Sequence, residues 1–404
     1  MVYIRTMVLV LFSLTLFFVN TAFAAPPELA GEAGVVMDAG NGQILYQKNA
    51  GKKLYPASTT KILTAVIALE QSDLDEMVTV TENAVGVEGT AIGLQKDEKL
   101  PMRSLMYALL LNSANDAAVA IAEHISGSVE EFASLMNKKA SELGAKDSHF
   151  VNPHGLTEAH HKTTARDLAV IARYAMQNDK FREIVATLNK EIKRGVPEEK
   201  EPQIWTYNHN RLLTTYSGAT GIKTGYTSAA ELCIVGAAKR DERELIAVVL
   251  KSPTQNTLYS DVSALLDYGF DEFEPRKLVE KGEIIMRIDV PHGTKGLLVE
   301  AKDSLIYNFP VGAPNDITKE VKPVSGLNAP VKEGDVVGKV LIYNGDKQTG
   351  QVDLLALEDI PRKITHNWWF WPSVGGVTLL TLRIWIRARR RRKRYMFLQR
   401  RRRW

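Results

Sequence analysis

Cysteine is all but missing: Cys233 is the only one in 404 residues. That excludes an internal disulfide framework and a cysteine-cluster metal site. Cys233 sits in the apolar run Leu232-Cys233-Ile234-Val235 with no activating base near it in sequence. It reads as a buried, inert thiol. There is no HExxH string, so His154 and the pair His160-His161 read as solvated or capping histidines, and no metal is expected. A phosphate loop is also missing. In Gly218-Ala219-Thr220-Gly221-Ile222-Lys223-Thr224 the spacing fails, because Ile222 separates the glycine from the lysine. No cofactor is implied. No internal repeat is present, and no low-complexity segment precedes the C-terminal arginines.

Acidic residues are absent beyond Asp359, while twelve Lys and Arg lie between Arg383 and Arg403. The formal charge of +4 therefore misleads. Setting aside those twelve and Arg5 leaves 38 basic against 47 acidic residues, a net of −9. The body is mildly acidic, which argues against a nucleic-acid-binding protein. Residues 1–24 read as a secretory signal: Arg5, then the short apolar run Met7 to Val19, then Ala22-Phe23-Ala24 before Ala25. Residues 364–386 read as a C-terminal membrane anchor, with Trp368, Trp369, Phe370 and Trp371 at one end and arginines at the other. A spanning helix is the leading reading and an interfacial helix the second. Residues 387–404 form an Arg-rich tail. The protein is expected to be exported and held at the outer face of a membrane by its C-terminus.

With 45% hydrophobic residues the body can bury a sizeable core. Strands are expected at Gly34–Asp38 and Ile44–Gln47, around a Gly40-Asn41-Gly42 turn. Helices follow at Ser58–Leu69, Met102–Leu111, Ala117–Ile125, Glu130–Leu143 and Thr164–Gln177. Apolar strands at Leu232–Ala238 and Glu244–Leu250 precede a helix at Leu258–Tyr268. Strands, then helices, then strands and a helix predict an α+β domain over 25–273, an antiparallel sheet with helices around it. From 274 to 360 the pattern changes to short alternating runs with Gly and Pro turns, predicting a small all-β domain; fold-level analogy alone suggests a spacer or partner-binding element.

Three short strings carry chemistry. Ser58-Thr59-Thr60-Lys61 is an SxxK at a helix start, Ser113-Ala114-Asn115 an SxN at a helix break, and Lys223-Thr224-Gly225 a KTG ahead of the strand Leu232–Ala238. Alone each is weak; an SxxK arises by chance about once or twice in a chain this long. Together and in order they point to acyl transfer. Residues i and i+3 share a helix face, so Lys61 can reach the Ser58 hydroxyl. Lys61 can act as a base only when neutral, and burial or a second ammonium such as Lys223 would achieve that. Ser113 is suited to relay a proton to a leaving amine, and the Asn115 amide to hold a substrate backbone. Lys223 and Thr224 suit a substrate carboxylate. Gly225 leaves room for a substrate along the strand edge.

On these strings the sequence resembles the low-molecular-weight penicillin-binding proteins of the D-alanyl-D-alanine carboxypeptidase family. The resemblance extends to Tyr55-Pro56-Ala57-Ser58, Leu111-Asn112-Ser113-Ala114-Asn115-Asp116, Asn152-Pro153-His154-Gly155-Leu156, Thr164-Ala165-Arg166-Asp167-Leu168 and Gly221-Ile222-Lys223-Thr224-Gly225-Tyr226-Thr227. It implies a serine β-lactamase/penicillin-binding-protein-like fold and removal of the terminal D-alanine from peptidoglycan stem peptides. By the resemblance Ser58 is the nucleophile, Lys61 the general base, Ser113 the proton relay and Lys223 an electrostatic group for the substrate carboxylate. The backbone N–H groups of Ser58 and Tyr226 form the oxyanion hole, and β-lactam antibiotics acylate Ser58.

Two positions depart from the family pattern. Glu231 follows Ala230 where glycine is usual, and Leu258-Tyr259 stands where Arg-Phe is usual. Two rivals remain. A serine β-lactamase shares the three motifs, but between Ser113 and Lys223 no glutamate has asparagine four residues on. A catalytically poor penicillin-binding protein is separated from the enzyme by turnover.

Overall fold

The computed structural model describes residues 25–194 and 203–401. The expected signal segment, residues 1–24, lies outside the described residues, as do the last residues of the tail. The chain forms two units: residues through Pro275 together with Asn308–Ala313, and Arg276–Tyr307 together with Pro314 onward.

The first unit is built on an antiparallel sheet of β1 (Ala33–Asp38), β2 (Ile44–Lys48) and, much later in the chain, three long strands. Between them come α1 (Lys61–Gln71), the short pair β3 (Met77–Thr79) and β4 (Lys99–Pro101), α2 (Met102–Leu110), α3 (Asn115–Ser126), α4 (Val129–Leu143), α5 (Ala165–Ala175), α6 (Asp179–Ala186), the hairpin β5 (Asn189–Lys193) and β6 (Gln203–Tyr207), and the single turn α7 (Leu212–Thr215). The chain then runs β7 (Ala219–Thr227), β8 (Glu231–Arg240), β9 (Arg243–Ser252) and α8 (Gln255–Asp271). The order across the sheet is β2-β1-β9-β8-β7, which leaves β7 at one edge.

Side chains alternate across a strand. Val35 and Met37 of β1, Cys233 and Val235 of β8, and Ile246 and Val248 of β9 pack into one core with the apolar faces of α1, α2, α3 and α5. Val36, Ile234, Ala247 and Val249 point the other way, onto Leu258, Val262, Leu265 and Leu266 of α8. Both faces are covered, which is why β8 and β9 read as unbroken apolar runs. Each fully buried Val or Leu contributes roughly 1.5–3 kcal/mol.

The helix ends follow from local chemistry. Ser128 Oγ accepts the Glu131 N–H at 3.1 Å to start α4, and Gly144 ends it at φ +89°. Thr164 Oγ1 accepts from the Asp167 N–H at 3.1 Å to start α5.

Several features differ from the sequence expectations. The helix expected from Ser58 begins as a 3-10 turn, Ala57–Thr60, and becomes α-helical only at Lys61. The Lys223-Thr224-Gly225 string does precede the strand Leu232–Ala238, now part of β8, but it also lies inside a strand of its own, β7. Helix α6 and the β5–β6 hairpin have no counterpart among the expected elements, because most of their residues are charged or polar and few are buried.

Beyond β10 (Phe273–Val279), the second unit holds β11 (Ile284–Ile288), β12 (Leu297–Ala301), β14 (Ile317–Pro323), β15 (Val336–Asn344) and β16 (Lys347–Ala356), ordered β11-β12-β16-β15-β14 and antiparallel. The intervening β13 (Leu305–Pro310) leads into Asn308–Ala313, which belongs with the first unit. There Asn308 Nδ2 donates to Asp38 Oδ2 at 3.0 Å and its backbone N–H to Gln43 Oε1 at 2.8 Å. The chain ends in α9 (Phe370–Arg401). Among the described residues no helix is long and apolar enough to cross a membrane, which removes the spanning reading of residues 364–386. The physical reason is length. The part of α9 ahead of Arg383 runs only from Phe370 to Leu382, about 20 Å at 1.5 Å per residue, against a hydrocarbon core of about 30 Å.

Candidate active site

Ser58 sits on a tight turn wedged between two glycines. A Cβ on Gly225 of β7 would stand 2.6 Å from the Ser58 backbone nitrogen and 3.0 Å from Ala57 Cβ. A Cβ on Gly155, itself at φ +90°, would stand 1.9 Å from the Ala57 carbonyl oxygen. The turn is strained as well as crowded, since Ala57 has φ +49°. The room expected beside Gly225 for a substrate is thus occupied by the nucleophile's own turn. The glycine is there so that β7 can approach it.

The next residues fix the amine. Lys61 is fully buried at the start of α1. Its Nζ lies 2.9 Å from Ser58 Oγ, 2.6 Å from Asn115 Oδ1 and 2.8 Å from the His154 carbonyl oxygen. Burial pushes its pKa well below the usual lysine value, and the nearby Lys223 pushes it further the same way. A neutral amine has two N–H donors and one lone pair. The amide and carbonyl oxygens can only accept, so they take the two donors, and the lone pair faces the Ser58 hydroxyl.

Asn115 stands at the start of α3. While Oδ1 accepts from Lys61, Nδ2 donates to the Glu88 carbonyl at 2.6 Å, and the side chain is buried. It is a positioning group for Lys61. Ser113 precedes it at φ +62°, 5% exposed. The backbone around them is tied to the segment before β4: the Asn115 N–H donates to Thr90 O at 2.7 Å, and Asp116 accepts the N–H groups of Ile92 and Leu94.

Lys223 is buried within β7, its Nζ donating to Thr224 O at 3.0 Å. Burial brings its pKa down to about 7. Thr224 and Gly225 follow, and Tyr226 is 63% exposed. An open cleft joins Ser58, Ser113, Thr224, Gly225 and Tyr226 to Thr90, His209, Leu232, Gln255, Leu258 and Tyr259. The structure thus gathers every residue singled out from the sequence: five line the cleft, and Lys61, Asn115 and Lys223 lie buried.

Sequence reasoning missed the support behind the site. His161 is not solvated but fully buried: Nδ1 accepts the Val151 N–H at 3.1 Å, so Nε2 carries the proton toward Thr60 Oγ1 at 2.9 Å. Thr64 Oγ1 donates to Pro153 O at 2.6 Å. The Asn152-Pro153-His154-Gly155 loop is therefore pinned against α1, which is how the His154 carbonyl comes to Lys61. The only signal for this in the sequence was the string itself. Burial keeps both rings neutral, with pKa values lowered to about 3 for His154 and about 4 for His161. Cys233 is as expected, its thiol buried and its pKa pushed up to about 12. Of the two departures, Glu231 takes the left-handed φ of +53° that glycine would take freely, and Leu258 forms part of the cleft wall at 2% exposure.

The sequence pattern of the family described as D-alanyl-D-alanine carboxypeptidase matches residues 20–254, and that of the penicillin-binding protein 5 C-terminal domain matches residues 273–362. The chain is 32% identical to the D-alanyl-D-alanine carboxypeptidase DacF of Bacillus subtilis (strain 168), over 83% of this chain and 87% of that one. It is 31% identical to DacA of Haemophilus influenzae, over 86% and 89%. Among solved structures, penicillin-binding protein 5 from Haemophilus influenzae superposes with a TM-score of 0.73 at 29% identity, covering 84% of this chain and 99% of that one. The Streptomyces K15 DD-transpeptidase superposes at 0.59 and 34%, covering 61% and 99%.

Proposed function

The chain belongs to the D-alanyl-D-alanine carboxypeptidase family, a serine-type carboxypeptidase by descent, and we propose that it works through an acyl-enzyme on Ser58. The observation that carries this is the buried Lys61 amine 2.9 Å from Ser58 Oγ with its two donors already engaged. As Ser58 Oγ attacks the carbonyl carbon of the penultimate D-alanine, its proton passes to Lys61. The backbone N–H groups of Ser58 and Tyr226 stabilise the developing oxyanion. Ser113 relays that proton from Lys61 to the amine of the departing D-alanine, which leaves Lys61 neutral again. Water then attacks the ester, with the same base removing its proton, and Ser58 is restored.

Lys223 and Thr224 receive the terminal carboxylate of the stem peptide. A β-lactam carries a strained amide and a carboxylate in a similar relation, so it acylates the same serine. The catalytic domain covers residues 25–273 and the all-β domain 274–360. The protein is exported by way of residues 1–24 and held at the membrane surface by α9, whose tryptophan-rich start and arginine-rich remainder suit an interface and anionic headgroups.

The test is release of free D-alanine from diacetyl-Lys-D-Ala-D-Ala, beside a Ser58→Ala control. Release that disappears in the control is the expected result. Penicillin labelling of Ser58 without release would favour a poorly deacylating binding protein.

A further inference from the structure

The cleft beside Ser58 receives a group that ends in a carboxylate, yet its own lining holds no arginine. Leu258 and Leu232 form apolar wall, and Gln255 and Tyr259 are neutral. Lys223 is buried to 1%, and with its pKa lowered to about 7 its ammonium is only partly charged at neutral pH. His209, in the same wall, has its pKa lowered by burial and by the Lys223 charge, so it is neutral there. Arg211 stands next to this wall, against Gln255 and Tyr259.

Arg211 is held on both sides. Its backbone N–H donates to Tyr259 Oη at 3.1 Å, and its carbonyl accepts the hydroxyls of Thr214 and Thr215 at 3.0 and 2.9 Å. The buried Asn210 beside it caps α7, Oδ1 accepting the Leu212 N–H at 3.1 Å. The guanidinium neighbours two residues of the cleft wall. Nη1 lies 3.4 Å from Gln255 Oε1, and the guanidinium carbon lies 5.6 Å from the Tyr259 ring centre. No carboxylate among the described residues pairs with it. Gln255 and Tyr259 both line the cleft, so the exposed guanidinium lies at its rim with donors to spare.

We propose that Arg211 binds the terminal carboxylate of the substrate at the rim of the Ser58 cleft and so selects for peptides with a free C-terminus. Its planar donors match a carboxylate in two-point contact, which a lysine ammonium cannot reproduce. Thr224 and Lys223 then meet the carboxylate from the β7 side. The inference rests on the carboxypeptidase reading and adds a specificity-determining residue to it.

The experiment uses the full chain with diacetyl-Lys-D-Ala-D-Ala as substrate, and phenylmethylsulfonyl fluoride, which has no carboxylate, as a second probe of Ser58. Arg211→Ala should raise KM roughly 10- to 100-fold, with kcat falling far less. Arg211→Lys should recover part of the loss. Salt should raise KM more steeply for the natural protein than for Arg211→Ala. Sulfonylation of Ser58 should proceed at similar rates in both. An unchanged KM in Arg211→Ala overturns the proposal, as does an equal loss toward the sulfonyl fluoride, which would mark a damaged cleft. No release by the natural protein would overturn the carboxypeptidase reading and this proposal together, a result distinct from the other two.

Discussion

Asn115 Oδ1 stands 2.6 Å from Lys61 Nζ, and the Asn115 Nδ2 stands 2.6 Å from the Glu88 carbonyl, so one amide both orients the base and is itself oriented. Asn115→Asp keeps the shape and places a carboxylate against the amine. A negative neighbour raises a lysine pKa, so Lys61 should become charged and lose its lone pair. Acylation of Ser58 at pH 7 should fall at least about 100-fold, in line with loss of a general base. Stopped-flow acylation by a chromogenic β-lactam measures this. An unaltered rate would mean that Asn115 does not govern the amine.

The pH profile follows from the same lysine. Lys61 works when neutral, and burial followed by the Lys223 charge holds its pKa well below the usual value. Activity should therefore be present above that lowered pKa and vanish as pH falls through it. Lys223→Gln removes the neighbouring cation, so the Lys61 pKa should rise and the acid limb of kcat/KM should move to higher pH. A limb that moved to lower pH would contradict the assignment of Lys61 as the base.

Gly225 and Ser58 are joined by contact alone. Gly225→Ala forces a methyl to within 2.6 Å of the Ser58 backbone nitrogen, and backbone cannot swing aside as a long side chain can. The turn must shift, and a small displacement of a nucleophile costs about 100-fold in rate. The expected result is loss of acylation by at least that factor in a protein whose circular dichroism is unchanged. Acylation at the natural rate would show that β7 gives way instead.

Much of this architecture was legible because its signals are local. The β1–β2 hairpin announced itself through Gly40-Asn41-Gly42, and β8 and β9 through runs apolar enough to be buried on both faces. The spacing of Ser58 and Lys61 placed base and nucleophile together. What stayed hidden depends on contacts far apart in sequence. Nothing near Asn115 reveals that Glu88 occupies its amide, and nothing near His161 shows that it braces Thr60 across 101 residues. Gly225 was legible as a glycine needing room, but not that the Ser58 turn fills it. The return of Asn308–Ala313 to the first unit rests on hydrogen bonds of Asn308 with Asp38 and Gln43 and of the Val311 N–H with the Glu272 carbonyl, which leave no trace in composition. For the C-terminal segment the aromatic flank and the arginines suit a spanning and an interfacial helix alike, and the composition of the helix is what separates them: among the described residues none is long and apolar enough to cross a membrane.

Buried neutral histidines should make the fold acid-sensitive in a definite window. The pKa of His161 is about 4 in the fold and near 6.5 when exposed. Between those values the unfolded chain binds more protons than the folded one, so stability is full above about pH 6.5 and falls as pH drops toward 4. For His161 alone the loss is about 3 kcal/mol, and His154, lowered to about 3, adds in the same direction. Thermal unfolding from pH 7 to 4 should show a falling Tm. His161→Gln, less stable at pH 7, should show a shallower fall. Equal slopes in the two proteins would remove His161 as a cause.

The C-terminal helix offers a different kind of test, because salt releases a surface-held helix and leaves a spanning one in place. The arginines of α9 would meet anionic headgroups within about one Debye length, an attraction that salt screens. Its apolar start, Phe370 to Leu382, is too short to hold the chain by insertion across the bilayer. Binding of the full chain to vesicles containing phosphatidylglycerol should therefore be strong at low salt, weaken at 0.5 M salt on the scale set by about 1 kcal/mol per arginine near the surface, and be slight on neutral vesicles. Removing residues 364–404 should abolish it while leaving hydrolysis of the soluble peptide intact. Attachment that resisted both high salt and alkaline carbonate would instead identify an inserted segment.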